Sequence, residues 1–340
     1  MNGRRTKINV TFGGTDITDS MEQYLKTLSY TDNQEDETDD LQITLHDREG
    51  IWRESWIEDM VESSSSMKIG AAIVRKDWNG EDDSVLDCGT FELDSVQMTA
   101  TEITIKGTSL SYQQPIRQTR KFKAWEDYYL SGIGAEIAGN GGYTLMYEAS
   151  DDPHFDRVEQ YDQSDIDFLS EMCHRNGISL KAFNQMLILF DQQEYEAQSA
   201  IKTVTHGDNS YASYTCKAGT ADTQYGSCHV CYTDKGGTTY EGTATDEDGD
   251  EEQCLEICAQ CASNSEAEAL AVKLLRLYNK YACTISFVFP GDPDLCAGSN
   301  VELSGFGLFD GKYTITTAKH EVRENSGYKT TIDGRKVLAY

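Results

Sequence analysis

Apolar and polar positions alternate along most of this chain in short runs broken by turn residues, a pattern that predicts β-strands. Residues 7–12 alternate up to a Gly13-Gly14 turn, and residues 41–46 read inside–outside. Stretches 21–30, 67–77, 88–94 and 102–106 complete a first β-rich region, whose short, evenly spaced strands suggest a barrel or a sandwich. A second begins near residue 200, with strands at 203–206 and 211–217, then 228–233 and 238–245 across a Lys-Gly-Gly turn. Further strands follow at 283–289, 299–303 and 312–320. A last hairpin pairs 320–323 with 328–332 across Glu324-Asn-Ser-Gly327.

Between these regions the period changes to that of a helix. Trp125, Tyr129, Ile133 and Ile137 fall four apart and predict a helix over 124–138, closed by Gly139-Asn-Gly-Gly142. Ser164 followed by Asp167 reads as a helix start, because the hydroxyl satisfies a backbone N–H otherwise left without a partner. Ile166, Leu169, Met172 and Cys173 continue at helical spacing to an Asn176-Gly177 stop, and 178–190 turns to strand character. Later, Ser265-Glu-Ala-Glu268 reads as a capping box opening a helix to about residue 280, with Ala267, Leu270, Ala271, Leu274, Leu277 and Tyr278 on its core face. The expected fold is mainly β (α+β), with β-rich domains at 1–120 and 200–340 and a small α/β domain at 121–199.

Composition narrows the function. The chain has 340 residues, 58 acidic against 29 basic, and a net charge of −29. Such a surface does not grip nucleic acid, which is bound by Lys and Arg displacing counterions; it repels a polyanion instead. No apolar run reaches the length of a membrane span, and the basic N-terminus lacks the apolar core of a secretory signal, so folding in a cytoplasm is expected. The one notable basic segment, Pro115-Ile-Arg-Gln-Thr-Arg-Lys-Phe-Lys123, reads as a partner contact or a solvated linker.

Candidate chemistry is sparse. Of ten cysteines, five cluster at Cys228, Cys231, Cys254, Cys258 and Cys261. Paired thiols suggest zinc or iron–sulfur, but 228–233 reads as a strand, which sends Cys228 and Cys231 to opposite faces; the second group suits a helical or irregular turn better. Buried thiols are the default. The acidic loop 246–252 places its glycine at the fourth position, where a calcium loop needs it at the sixth. His320 beside Glu321 has no nucleophile at motif spacing, and Gly305-Phe-Gly-Leu-Phe-Asp-Gly311 lacks the Gly-Lys-Ser/Thr end of a phosphate loop. Trp52 and Trp56 could stack on a sugar, although packing is the commoner fate of tryptophan. The reading is therefore of a non-enzyme without cofactor or metal.

Taken together and in order, several stretches resemble the phage late-control D family of tail and baseplate hub proteins, related to the N-terminal part of type VI secretion spike proteins. They are Ser29-Tyr-Thr-Asp32 with Asp39-Asp-Leu-Gln-Ile-Thr-Leu-His-Asp47, Trp52 with Trp56, and Gly89-Thr-Phe-Glu-Leu-Asp94. They continue with Gln163-Ser164-Asp165-Ile-Asp-Phe168-Leu169, Cys173 and Asn176-Gly177, then Gly291-Asp-Pro293 and 301–315 with Phe306, Asp310, Gly311 and Tyr313, ending in His320 and Gly327-Tyr-Lys-Thr330. These motif residues are the candidates for assembly contacts. The resemblance implies a homotrimer whose two β-barrel-like domains per chain form one pseudo-sixfold ring, although the residues show no repeat between the halves. Implied partners are the tail tube protein, the spike, other baseplate proteins and the tape-measure protein, with no stable nucleic-acid binding and no membrane insertion. The implied location is the tail baseplate of a virion or injection particle assembled in a bacterial cytoplasm. Three copies of a chain at −29 carry −87, which would repel passing DNA if it lined a channel. Because the chain ends at Tyr340, just after the last hairpin, spike and wall hydrolase are expected on other chains. The alternatives are the hub of a DNA-free injection particle or bacteriocin, a carbohydrate-binding β protein using Trp52 and Trp56, and a cysteine-cluster metalloprotein.

Overall fold

Thirteen strands pair into one continuous sheet in the computed structural model, which describes residues 4–52, 67–78, 83–219, 225–246 and 253–339. The N-terminal half supplies six long strands, its first to sixth: Arg5–Phe12, Leu25–Asn33, Asp40–His46, Lys68–Lys76, Ser84–Met98 and Glu102–Thr108. The C-terminal half also supplies six: Lys202–Thr205, Ser213–Ala218, Cys283–Pro290, Asn300–Ser304, Gly311–Arg323 and Gly327–Lys336. Across the sheet, both halves run first, fourth, fifth, sixth, third, second. Neighbours are antiparallel in both, except that first and fourth are antiparallel in the N-terminal half and parallel in the C-terminal one.

The likeness extends to local detail. Between fifth and sixth strands the register shifts at Leu93/Ser95 in one half and at Ile315/Thr317 in the other. Opposite each shift stands a glycine, Gly107 facing Leu93 and Gly334 facing Ile315. A Cβ on Gly107 would come 2.8 Å from that of Phe91, and one on Gly334 would come 2.9 Å from the Thr314 carbonyl oxygen. The halves are thus a structural repeat. Each wraps its own core, around Val10, Leu28, Leu45 and Phe91 in one and Phe287, Val301, Tyr313 and Ile332 in the other. The mainly β (α+β) class is the one expected; among the described residues first and second strands do not pair with each other, so the barrel-like halves are not closed. The halves meet where the second strand of the first, Leu25–Asn33, pairs with the fifth strand of the other, from Thr317↔Asn33 to Arg323↔Thr27.

The middle segment is α/β. Arg120–Tyr129 pairs with His154–Ser164 as a ribbon, and Thr144–Glu148 runs parallel to Met186–Phe190. Ser179–Phe183 completes that sheet through a two-residue turn, with Asn184 and Gln185 both in the left-handed region as a type I′ hairpin requires. Sequence periodicity started the first helix six residues too early. Residues 120–129 alternate, with Trp125 turned inward, and the helix Leu130–Gly141 begins only after an extended Tyr129. The four-residue spacing of Trp125 and Tyr129 is shared by a strand and a helix that abut. Likewise the strand read at 21–30 begins at Leu25, after two short helical turns spanning 18–24.

The cysteine-rich stretch forms a fourth core. Strands Ser227–Thr233, Thr239–Thr245 and Cys254–Cys258 carry the helix Asn264–Asn279, burying Cys228, Val230, Cys261, Ala271 and Leu275. This unit interrupts the link between second and third strands of the C-terminal half, where the N-terminal half has only residues 34–39. Its helix is capped two residues earlier than the sequence suggested: Ser263 Oγ accepts from the Glu266 N–H at 3.1 Å, and the Glu266 carboxylate accepts from the Ala262 N–H at 2.7 Å. Cys254–Cys258, read as a turn, is a strand because it lies in parallel register with Ser227–Cys231. The candidate calcium loop, 246–252, lies almost wholly outside the described residues.

Candidate functional site

The seam between the halves is where all four units meet, and buried charges hold them there. Residues 34–39 leave the seam strand and turn inward. Asp39 Oδ1 accepts from the Asn33 N–H at 2.8 Å, and the Asp39 N–H donates to Ser109 Oγ at 3.0 Å. Lys181, on the middle hairpin, reaches Asp32, the Asn33 carbonyl and, at 3.3 Å, Asp39. Asp32 also accepts from the Ala297 N–H at 2.8 Å, so one carboxylate touches the middle segment and the C-terminal half. Burial pushes the Asp39 carboxyl up to about 7 despite the Lys181 charge. Burial works against the Lys181 charge too, but Asp32 and Asp39 outweigh it and hold its pKa above the ordinary value.

Two more clusters extend this lock. Glu35 takes Lys280 from the end of the cysteine-rich unit's helix, and also Ser179 and Gln192 of the middle segment. Glu196 lies between Arg276 of that helix and Arg335 of the last strand. All these charges are buried or nearly so, and removing one partner from such a pair costs about 3–5 kcal/mol because the other is stranded. The clusters fix the relative placement of the four units. Their side chains are committed to one another, the Ser179 hydroxyl donating to Glu35 at 2.6 Å.

The motif residues named in the sequence make contacts mostly within their own units. Trp52 is buried, edge-on to Tyr24, so it presents no platform for a sugar; Trp56 lies outside the described residues. Ser164 caps the helix Asp165–Arg175 by accepting from the Asp167 N–H at 3.1 Å, and Gln163 donates to Glu171 of the same helix. Asp165 is buried and pairs with Lys121 and Gln160, Phe168 stacks on Trp125, and Leu169 lies in the same core. In the glycine-rich turn, Asp310 accepts from the Phe306 N–H at 2.6 Å, while Gly311 sits at φ +124°. Phe306 packs edge-on to Phe287 and Tyr214, and buried Tyr313 donates to the Phe309 carbonyl at 2.9 Å. His320 is buried in the C-terminal half between Tyr328 and the Leu295 carbonyl. The basic segment at 115–123 is not a solvated linker. It enters the ribbon strand, where Arg120, Lys121 and Lys123 pair with Asp162, Asp165 and Glu136.

The sequence did not single out Glu35, Lys181, Glu196, Lys280 or Arg335. Their partners lie far away in the chain, and the acidic loop at 31–40 looks the same whether its carboxylates are solvated or buried. Two grooves, of about 1050 and 770 Å³, separate the middle segment from the cysteine-rich unit. The larger is lined by Arg157, Glu159, Tyr161, His174, Cys258 and Tyr278 among others. Burial pushes the Cys228 and Cys261 thiols up to about 11, and among the described residues no three His, Cys, Asp or Glu side chains are placed to hold a metal ion. No described helix is long and apolar enough to cross a membrane.

No family model matches the chain, and no curated protein matches it. Solved structures do. A tail protein from Neisseria meningitidis superposes with a TM-score of 0.70 at 10% identity, over 97% of this chain and 96% of that one. The 43 kDa tail protein of prophage MuSo2 from Shewanella oneidensis gives 0.64 at 10% identity, over 98% and 97%. An E. coli protein described as a component of the type VI secretion system, similar to the T4 phage tail proteins gp27 and gp5, gives 0.56 at 10% identity, over 98% of this chain and 77% of its own. The chain therefore has, along almost its entire length, the fold of phage tail proteins and of a type VI secretion component.

Proposed function

We propose that this protein is a non-enzymatic structural hub of a phage-type tail baseplate. Three copies form a ring of six similar halves that joins a hexameric tube to a trimeric spike. The observation that carries this reading is the whole-chain likeness to a tail protein, 0.70 over 97% of the chain. The internal repeat supports it: two halves of one strand order in each of three chains present six near-equivalent surfaces on one side and three identical units on the other. In this reading, residues 1–120 and 200–340 form the ring and 121–199 stands beside it. The partners are the tube protein, the spike and neighbouring baseplate proteins, with the tape-measure protein as a further one, and the particle assembles in a bacterial cytoplasm.

The test is absolute mass by light scattering in reducing buffer, with negative-stain images of the same peak, for the chain alone and co-expressed with its spike. Particles of three chains shaped as rings are expected in at least the second case. A monomer in both would sink the hub.

A further inference from the structure

The internal repeat points to how one copy meets the next. Inside the chain, the second strand of the first half adds to the fifth strand of the other half, along Thr317–Arg323, where the fourth strand has ended. Among the described residues, the equivalents of those two edges are both open. Ser213–Ala218, second strand of the C-terminal half, pairs on one side only among the described residues. In the fifth strand of the N-terminal half, pairing with the fourth ends at Glu92, and a single backbone bond follows, from the Leu93 N–H to the Met67 carbonyl. Beyond it, residues 95–98 have a partner only on the sixth-strand side among the described residues.

We infer, building on the hub reading, that the Ser213–Ala218 edge of one copy adds antiparallel to the 95–98 edge of the next, Cys216–Ala218 lying opposite Val96–Met98, repeating the internal seam between chains. The repeat fixes the register. The matching bulges equate Ser95 with Thr317 and hence Met98 with His320. The matching glycines equate Leu41 with Ile285, and their strand partners equate Tyr30 with Cys216 and Leu28 with Tyr214. Because His320 faces Tyr30 across the seam, Met98 faces Cys216 of the neighbouring copy.

Burial at equivalent positions agrees. At the filled seam Leu28 and His320 are 0% exposed, whereas at the open edges Tyr214 is 41% and Met98 50% exposed. Charge agrees as well. Lys217 is the one charged residue in the two edge segments, in a chain where 26% of residues are charged. An edge left open is ordinarily protected by charge, so an almost uncharged open edge is one built to be covered. The partner is a second copy of this chain, since only that copy brings an edge of the same repeat. The contact is head-to-tail, and such contacts build rings when the rotation closes.

The experiment is a cross-link. Met98→Cys is introduced with Cys254→Ser and Cys258→Ser to remove the exposed thiols, the protein is assembled with its spike, and a short bis-maleimide is added. Met98 is half exposed, so the substitution leaves the core intact. Most of the chain is expected to move into covalent dimers and trimers of itself on a denaturing gel. Adding Cys216→Ser should abolish them. A particle of three-chain mass with no cross-link above that control overturns the edge pairing while the hub stands. So does a product joining this chain to the spike. A monomer with the spike present overturns both.

Discussion

His320 has no room to hold a second proton. Its Nε2–H donates to the Leu295 carbonyl at 3.1 Å, its Nδ1 accepts from the Tyr328 hydroxyl at 2.8 Å, and Tyr30 stacks against its face. Burial lowers its pKa from 6.5 to about 4. Between those values the unfolded chain takes up a proton that the folded chain refuses. Stability present above pH 6.5 is therefore lost as pH falls to about 4, by roughly 3 kcal/mol. His174 acts in the opposite sense: Asp36 raises its pKa, so its contribution is complete at low pH and fades as pH rises through the folded value. His320→Gln isolates the first effect. It should start less stable at pH 7.5 but lose about 3 kcal/mol less between pH 6.5 and 4, read from urea midpoints across that range. Parallel pH profiles for variant and parent would refute the assignment.

At the scale of elements, the two glycines opposite the bulges are paired predictions. Gly107→Ala drives a methyl onto Phe91, and Gly334→Ala drives one onto the Thr314 carbonyl, within strands whose backbones cannot yield. Each should cost about 1–3 kcal/mol in thermal or urea unfolding, and together they should add, since each half wraps its own core. Lys181→Met should cost about 3–5 kcal/mol near pH 7.5, because it strands Asp32 and Asp39, and Asp32→Asn in the same chain should return part of that loss. Local elements were the legible ones. Ser164 announced its cap, Asn176-Gly177 its stop, and the last hairpin its turn, because each is decided by residues a few positions apart. Legibility failed where one period served two elements, as at Trp125 and Tyr129, and where two capping patterns overlapped, as at Ser263 and Ser265. The repeat was invisible for a deeper reason. It lives in strand order, bulge position and two glycines, and the sequence shows such pairings only once the strands are already placed.

At the scale of the molecule, the proposed assembly must overcome the charge. Each copy carries −29, so bringing copies together is opposed by repulsion that salt screens over a Debye length of about 10 Å at 0.1 M. The proposed contact between copies relies on backbone pairing and on covering Tyr214 and Met98, which salt does not weaken. The two contributions give a definite sign. Raising sodium chloride from about 0.02 M to about 0.5 M should shift sedimenting protein from monomer toward the three-chain particle, several-fold at a concentration near the midpoint. Were copies held by ion pairs instead, the same change would dissociate them, and that outcome would refute an edge-paired interface. The buried clusters supply the internal control. Glu35–Lys280 and Glu196–Arg335 lie out of reach of the salt, so the monomer's own unfolding midpoint should move far less than the assembly does. Within this chain, charge acts in two ways: paired and buried it fixes how four units sit together, and on the surface it sets the salt dependence that tests the proposed contact between copies.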